Sequence, residues 1–289
     1  EPMLTNALAT LSRKPNPPTV RILLSGKDVT KVIDLQPAHF EFPKIVQKIV
    51  AASGFKSAGN LPLKMDFGYL YARQTRRELP YIFPTWNHSK IVIADQASMI
   101  QGGHNLWDPD YTSDQPVFDL SMEVDGQIAK ETQKFVDMMW GLVGKADISF
   151  ANAGGRFTSP NLPAPKPGNI SMIGVGRVGF IENSKTDNLI FNKPGNNPAD
   201  DAIKSLIRSA RSHVRFAIQD FFQTLFGEHG AKVYAGEPWM ADALAEAIMK
   251  GVKVQVVQSD DTAVPNSYVM LKPKDTLPRL VKLLEDKAK

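Results

Sequence analysis

The sequence contains no cysteine, which excludes disulfides and thiolate metal centres and leaves the cellular compartment open on that ground. It contains no apolar run approaching about 18 residues, so no membrane-spanning helix is expected. It has no large excess of one charge, since 34 Lys and Arg against 30 Asp and Glu leave a formal +4. That balance is compatible with phosphate-bearing partners but falls short of an argument for nucleic acid. No group of His, Asp and Glu has metal-ligand spacing, and no metal is expected. No signal-peptide pattern opens the chain at Glu1-Pro2, which reads as a processed or trimmed product. What is there is 289 residues with 43% hydrophobic content, enough for one large core or two smaller ones.

The most informative stretch is Asn87 to Trp107, NHSKIVIADQASMIQGGHNLW. His88, Lys90 and Asp95 follow the pattern H-x-K-x4-D, and after six intervening residues comes Gly102-Gly103-His104-Asn105. Ile91 to Ile93 and Ser98 to Ile100 read as short strands with polar groups at their ends. His88 can serve as a nucleophile and titrates near neutral pH. Lys90, two residues along a strand, projects from the same face and brings fixed positive charge. Asn105 adds an amide donor, and Gly102 and Gly103 let backbone approach an anion. Together these groups suit attack on an anionic phosphorus centre, whose oxygens need cationic and neutral donors.

This pattern resembles the HKD motif of the phospholipase D superfamily, H-x-K-x4-D followed after six residues by G-G/S-x-N. Every fixed position matches; Gln96 stands where the family often has Gly, which bears on a turn. The resemblance continues in PVFDLSMEVDG, residues 116 to 126, and in the helix ending FVDMMW at Trp140. It is nearest to the secreted bacterial phospholipases D of the Streptomyces type, and it implies an extracellular enzyme. The implied fold is α/β and bilobal, two similar mixed-sheet lobes flanked by helices and meeting at a cleft. The implied reaction cleaves the distal phosphodiester bond of phospholipids such as phosphatidylcholine, giving phosphatidic acid and the free headgroup alcohol. It runs through a phosphohistidine, with transfer to another alcohol as a side reaction and no cofactor. On this resemblance His88 is the nucleophile, Lys90 and Asn105 hold the phosphoryl oxygens, and Asp119 orients and charges the imidazole. Asp95 completes the catalytic set by supporting the motif's loops. Gly102, Gly103, Trp107 and Gln219 are expected at the substrate, and the histidine of a second HKD motif is the general acid.

Along the chain, Met3 to Leu11 carries a helical stripe, and TVRILLS follows a proline-rich loop as a strand. AHFEFPKIVQKIVAAS reads as helix in its second half, and LPLKMDFGYLYA as a strand with Met65, Phe67 and Tyr69 on one side. Arg73, Arg76 and Arg77 form either a solvated loop or a contact for anionic headgroups. Trp86 and Trp107 either cover strand ends or wall a headgroup, since a quaternary ammonium prefers an aromatic face. Residues 1–146 are expected as a first lobe, 147–168 as a linker rich in Pro, Gly, Ser and Asn, and 169–289 as part of a second lobe. Within that second part, 170–180 reads as a strand, its Gly174-x-Gly176 being a poor match to a phosphate loop. Helix, strand, helix and strand then follow in NNPADDAIKSLIRSARS, HVRFAIQDF, WMADALAEAIMKG and VKVQVVQSD. His213, Arg215 and Asp220 imitate the motif but lack a following G-G-x-N, and read as an ordinary strand edge.

An internal repeat joins the two parts. Met240 to Leu244 and Val252 to Val256 echo Leu4 to Leu8 and Val20 to Leu24, the helices 236 residues apart (Ala7 to Ala243) and the strands 232 (Val20 to Val252). A second HKD motif is therefore expected at roughly residue 320 to 324, beyond Lys289, in a remaining segment or a separate chain. The expected partners are that segment and a phospholipid at a membrane surface, not nucleic acid. Two other readings stay open, a phosphodiesterase of the same fold acting on nucleic acid and a non-catalytic binding protein.

Overall fold

The computed structural model describes residues 2–25, 42–70, 87–105, 109–112, 114, 116–143, 148–150, 159–176, 198–218, 224–226, 232–234, 240–259 and 273–289. They form a mixed α/β structure in two compact units, one holding the described residues through 174 and the other those from 198 onward. Arg73, Arg76, Arg77, Trp86, Trp107 and Gln219 lie outside the described residues.

The first unit begins with α1 (Pro2–Ser12), β1 (Thr19–Ser25), α2 (Phe42–Ser53) and β2 (Lys64–Leu70). β1 and β2 run parallel, paired from Thr19 with Lys64 to Ser25 with Leu70. Parallel neighbours need a crossover, and α2 lies within it. The period-two pattern of β2 sends Met65 and Phe67 inward, both fully buried, and the Phe67 ring lies 4.0 Å from that of Phe42 on α2. Ile45, Val46 and Ile49 of α2 and Leu8 and Ala9 of α1 complete this core.

A second sheet carries the motif. β3 (Lys90–Ala94), β4 (Ser98–Gly102) and, beyond the short helix α3 (Pro109–Thr112), β5 (Ser121–Asp125) form an antiparallel meander in the order β3-β4-β5. The β3–β4 turn places Asp95 at φ 52° and Gln96 at φ 56°, with the Ala97 N–H donating to the Ala94 carbonyl at 3.0 Å. Two successive positive φ values make this a type I′ turn, whose twist suits a two-residue hairpin. Glycine would occupy the second position without strain. Gln96 offsets its strain by burying its side chain and donating from Nε2 to the Pro160 carbonyl at 2.7 Å.

After Gly126 (φ 104°) the chain enters α4 (Gln127–Val143), which packs on β2. The contact is Trp140, buried over Gly68, where an added Cβ would come within 2.9 Å of ring atom Cη2. Trp140→Ala is expected to lower unfolding free energy by about 3–5 kcal/mol, readable in urea melts, because it empties a large buried volume. Gly68→Ala should destabilise the same contact from the other side.

Two sequence expectations meet a different structure here. Ile148–Phe150, inside the stretch expected as a linker, forms β6, antiparallel to β2 with Phe67 opposite Ile148. Residues 159–167 of that stretch are fastened along α4: Ser159 donates to Asp137 at 2.7 Å and Lys130 to the Leu162 carbonyl at 2.9 Å. Residues 170–176, expected as a strand, make no ladder; Ile170 and Ile173 are exposed, and Gly174 packs closely against Ile128 of α4. The stretch has apolar residues, but no neighbouring strand among the described residues pairs with it.

The second unit contains α5 (Pro198–Ser209), β7 (His213–Ile218), β8 (Thr224–Phe226), β9 (Lys232–Tyr234), α6 (Ala241–Met249), β10 (Lys253–Gln258) and α7 (Pro273–Lys287). Asp200 and Asp201 in the first turn of α5 and Arg208 in its last complement the helix dipole. β10 lies parallel to β7, and Ile207, Leu244, Val252, Leu280 and Leu284 fill the core beneath. The repeat extends to packing: Thr5, Leu8 and Ala9 of α1 are buried, and so are Ala241, Leu244 and Ala245 of α6, 236 residues later. His213, at the start of β7, is exposed, as befits a strand edge.

Candidate active site

The motif's polar groups gather at the end of the β3–β4–β5 sheet opposite the Asp95 turn. Asn87 shapes the entry: its Oδ1 accepts the Ser89 N–H at 3.0 Å and the Ser89 hydroxyl at 2.5 Å, fixing the backbone on either side of His88. This local closure is an Asx turn, and it delivers the chain into β3. Ser89 also reaches toward Met139 of α4, its Oγ 3.9 Å from Sδ. Lys90, half-buried, turns its ammonium back to donate to the His88 carbonyl at 2.9 Å.

Lys90 pairs with Gly102 across the hairpin, and Gly102 with Ser121 on β5, so the three strands bring His88, Lys90, the glycines and the Asp119 segment to one place. The Gly103 N–H donates to the Leu120 carbonyl at 3.2 Å. Here the glycines answer a steric demand. A Cβ on Gly103 would lie 2.8 Å from Cγ of Asp119, and one on Gly102 would overlap the Ser121 side chain. Sequence reasoning assigned these glycines to backbone approach toward an anion; the structure adds that Gly103 admits Asp119 and Gly102 admits Ser121.

The electrostatics follow from this crowding. The pKa of His88 lies below its ordinary 6.5, chiefly because burial strips hydration from the imidazolium. The Lys90 charge pushes the same way and the Asp119 carboxylate opposes both. His88 nevertheless remains exposed to solvent at the sheet's end. Lys90 is lowered as well, by burial first, with Asp119 again opposing. The sign for activity is direct. A nucleophilic imidazole must be neutral, and a lowered pKa keeps it neutral to lower pH. The acid limb of kcat/KM is therefore expected below pH 6.5, and Lys90→Met, which removes a charge that disfavours the imidazolium, should move it upward. A pH–rate profile of the two proteins checks both statements.

Of the residues expected at the site, His88, Lys90, Gly102, Gly103, Asn105 and Asp119 are brought together. Asp95 is not: five residues beyond Lys90, it lies roughly 17 Å along the strand from that residue and farther from His88, in the type I′ turn. Three residues were not assigned a role from sequence. Tyr111 of α3 accepts the Asn105 backbone N–H at 2.7 Å and donates to Oδ2 of Asp119 at 2.9 Å. His104 Nδ1 is 2.8 Å from Ser121 Oγ, and its ring meets that of Tyr111 edge-on at 5.7 Å. The available signal was a tyrosine close to the G-G-x-N, since a tyrosine hydroxyl near a site usually finds a partner. Among the described residues, no three His, Asp or Glu side chains gather as metal ligands would.

No family model matches the chain. A curated relative, the phospholipase D of Streptomyces antibioticus, is 26% identical over 286 residues, covering 84% of this chain and 47% of the relative. The chain thus spans about half the length of the curated relative it matches. With H-x-K-x4-D and G-G-x-N set on adjoining strands, this similarity supports a relationship between the chain and the phospholipase D family.

Proposed function

We propose that the chain supplies one half of the active site of a phospholipase D-type hydrolase, secreted and acting on phospholipids at a membrane surface. The observation that carries this reading is the pairing of a solvent-accessible His88 of lowered pKa with Lys90, beside Asp119 and the Gly102-Gly103-His104-Asn105 backbone. A ring nitrogen of His88 attacks phosphorus, the bond to the headgroup oxygen breaks, and a general acid protonates the departing alkoxide. Positive charge develops on the imidazole and Asp119 stabilises it, while Lys90 and the Asn105 amide hold the phosphoryl oxygens. Water then attacks the phosphohistidine, the P–N bond breaks, and phosphatidic acid leaves; an alcohol in place of water gives transfer.

The general acid in this scheme is the histidine of a second HKD motif, carried by a further segment or a partner chain in a bilobal arrangement. Gly102, Gly103, Trp107 and Gln219 contact substrate, and Asp95 serves through the hairpin turn. The internal repeat and the partial coverage of the relative support a two-lobed enzyme. The test is product analysis of the full-length protein on phosphatidylcholine vesicles and on supercoiled plasmid DNA. Free choline with phosphatidic acid is the expected result. Nicking of DNA that falls steeply with salt would point instead to a nuclease, and binding without turnover of either to a non-catalytic protein.

A further inference from the structure

Asp119 sits on an irregular segment, tied at Leu120 by the Gly103 N–H, with little to hold its own side chain. Its neighbours Phe118 and Leu120 are 90% and 80% exposed, so packing does not fix the backbone on either side. Gly103 allows the carboxylate in without gripping it. Among the described residues the one hydrogen bond that Asp119 accepts comes from the Tyr111 hydroxyl, at 2.9 Å. That hydroxyl in turn accepts the Asn105 backbone N–H at 2.7 Å. Amide, phenol and carboxylate thus form a directional chain in which the amide polarises the phenol and strengthens its donation. The phenol ring is braced edge-on by His104, itself tied to Ser121 of β5.

The geometry points to Tyr111 as a positioning residue of the site, a phenol that holds the Asp119 carboxylate beside His88 and Lys90 while anchoring the backbone of Asn105. Its catalytic consequence rests on the function proposed above. As the P–N bond forms, positive charge appears on the imidazole, and a carboxylate held in place stabilises it better than one free to rotate into water. Without the phenol hydroxyl, Asp119 turns outward and the imidazolium loses a favourable neighbour. Among the described residues the charged groups facing His88 are Lys90 and Asp119, so Lys90 is left to act unopposed.

The experiment compares full-length wild type, Tyr111→Phe, Asp119→Asn and the double variant. NMR titration of the histidine rings, with His88 assigned by its absence in His88→Asn, gives the His88 pKa without needing any activity. Tyr111→Phe should lower that pKa and lower kcat about 10- to 100-fold, the range for losing a hydrogen bond to a charged group, with KM within about twofold. In the Asp119→Asn background the same substitution should not shift the His88 pKa further. An unchanged or raised His88 pKa in Tyr111→Phe overturns the inference, as does a pKa shift that persists without Asp119. If wild type turns over neither phospholipid nor DNA, the proposed function fails and the titration still decides the role of Tyr111.

Discussion

His88→Asn is expected to abolish turnover, with kcat down by about 1,000-fold or more while KM and the unfolding midpoint stay near wild type. The selectivity of the effect follows from the position. His88 is exposed at the sheet's end, so its truncation opens no core cavity. The bonds that shape the segment run through Asn87 and Ser89, and Lys90 binds the backbone carbonyl of residue 88 and not its ring. Both survive the change. Loss of the imidazole therefore removes a bond-forming group and little else. Activity within about tenfold of wild type, a difference of about 1.4 kcal/mol in barrier, would contradict a nucleophilic role.

Gly103→Ala should come second in effect, a loss of about 100-fold in kcat/KM from one methyl group, since displacements of about 1 Å at reacting groups reach that size. The new Cβ would press into the Asp119 carboxylate, 2.8 Å from its Cγ, and the only relief is to push Asp119 off the phenol of Tyr111 and away from His88. Gly141→Ala is the control. That glycine is exposed on α4 with nothing near its would-be Cβ, so alanine there should raise stability by about 0.5–1 kcal/mol and leave kinetics alone. Equal kinetics for Gly103→Ala and wild type would mean that Asp119 does not need its present place.

The sequence was most legible where one periodicity acted alone. Met65 and Phe67 alternate on β2, and the 236-residue repeat of α1 and α6 carries through to the same buried positions, because both signals are local to one element. The candidate site was legible as a motif and not as a geometry. H-x-K fixes two side chains on one face of a strand by its spacing alone. Asp119, by contrast, reaches the same place only through the pairing of Gly102 with Ser121, a contact of high sequence separation that no spacing encodes. Tyr111 was illegible for the same reason, its partners lying six and eight residues away on either side of a short helix. At residues 170–176 the apolar residues misled, since apolar content marks a strand only where another strand pairs with it, and none does among the described residues. Gln96 shows the converse: a residue poorly suited to φ 56° is kept there by burial and a bond to Pro160.

The most direct test of the central claim is to trap the covalent intermediate. The full-length protein is mixed with phosphatidylcholine, quenched within milliseconds in alkali, which preserves the P–N bond, and digested for mass spectrometry. A phosphatidyl adduct on the peptide bearing His88, absent from His88→Asn, is the predicted result. An adduct confined to another histidine, or steady turnover with His88 never modified, would contradict it.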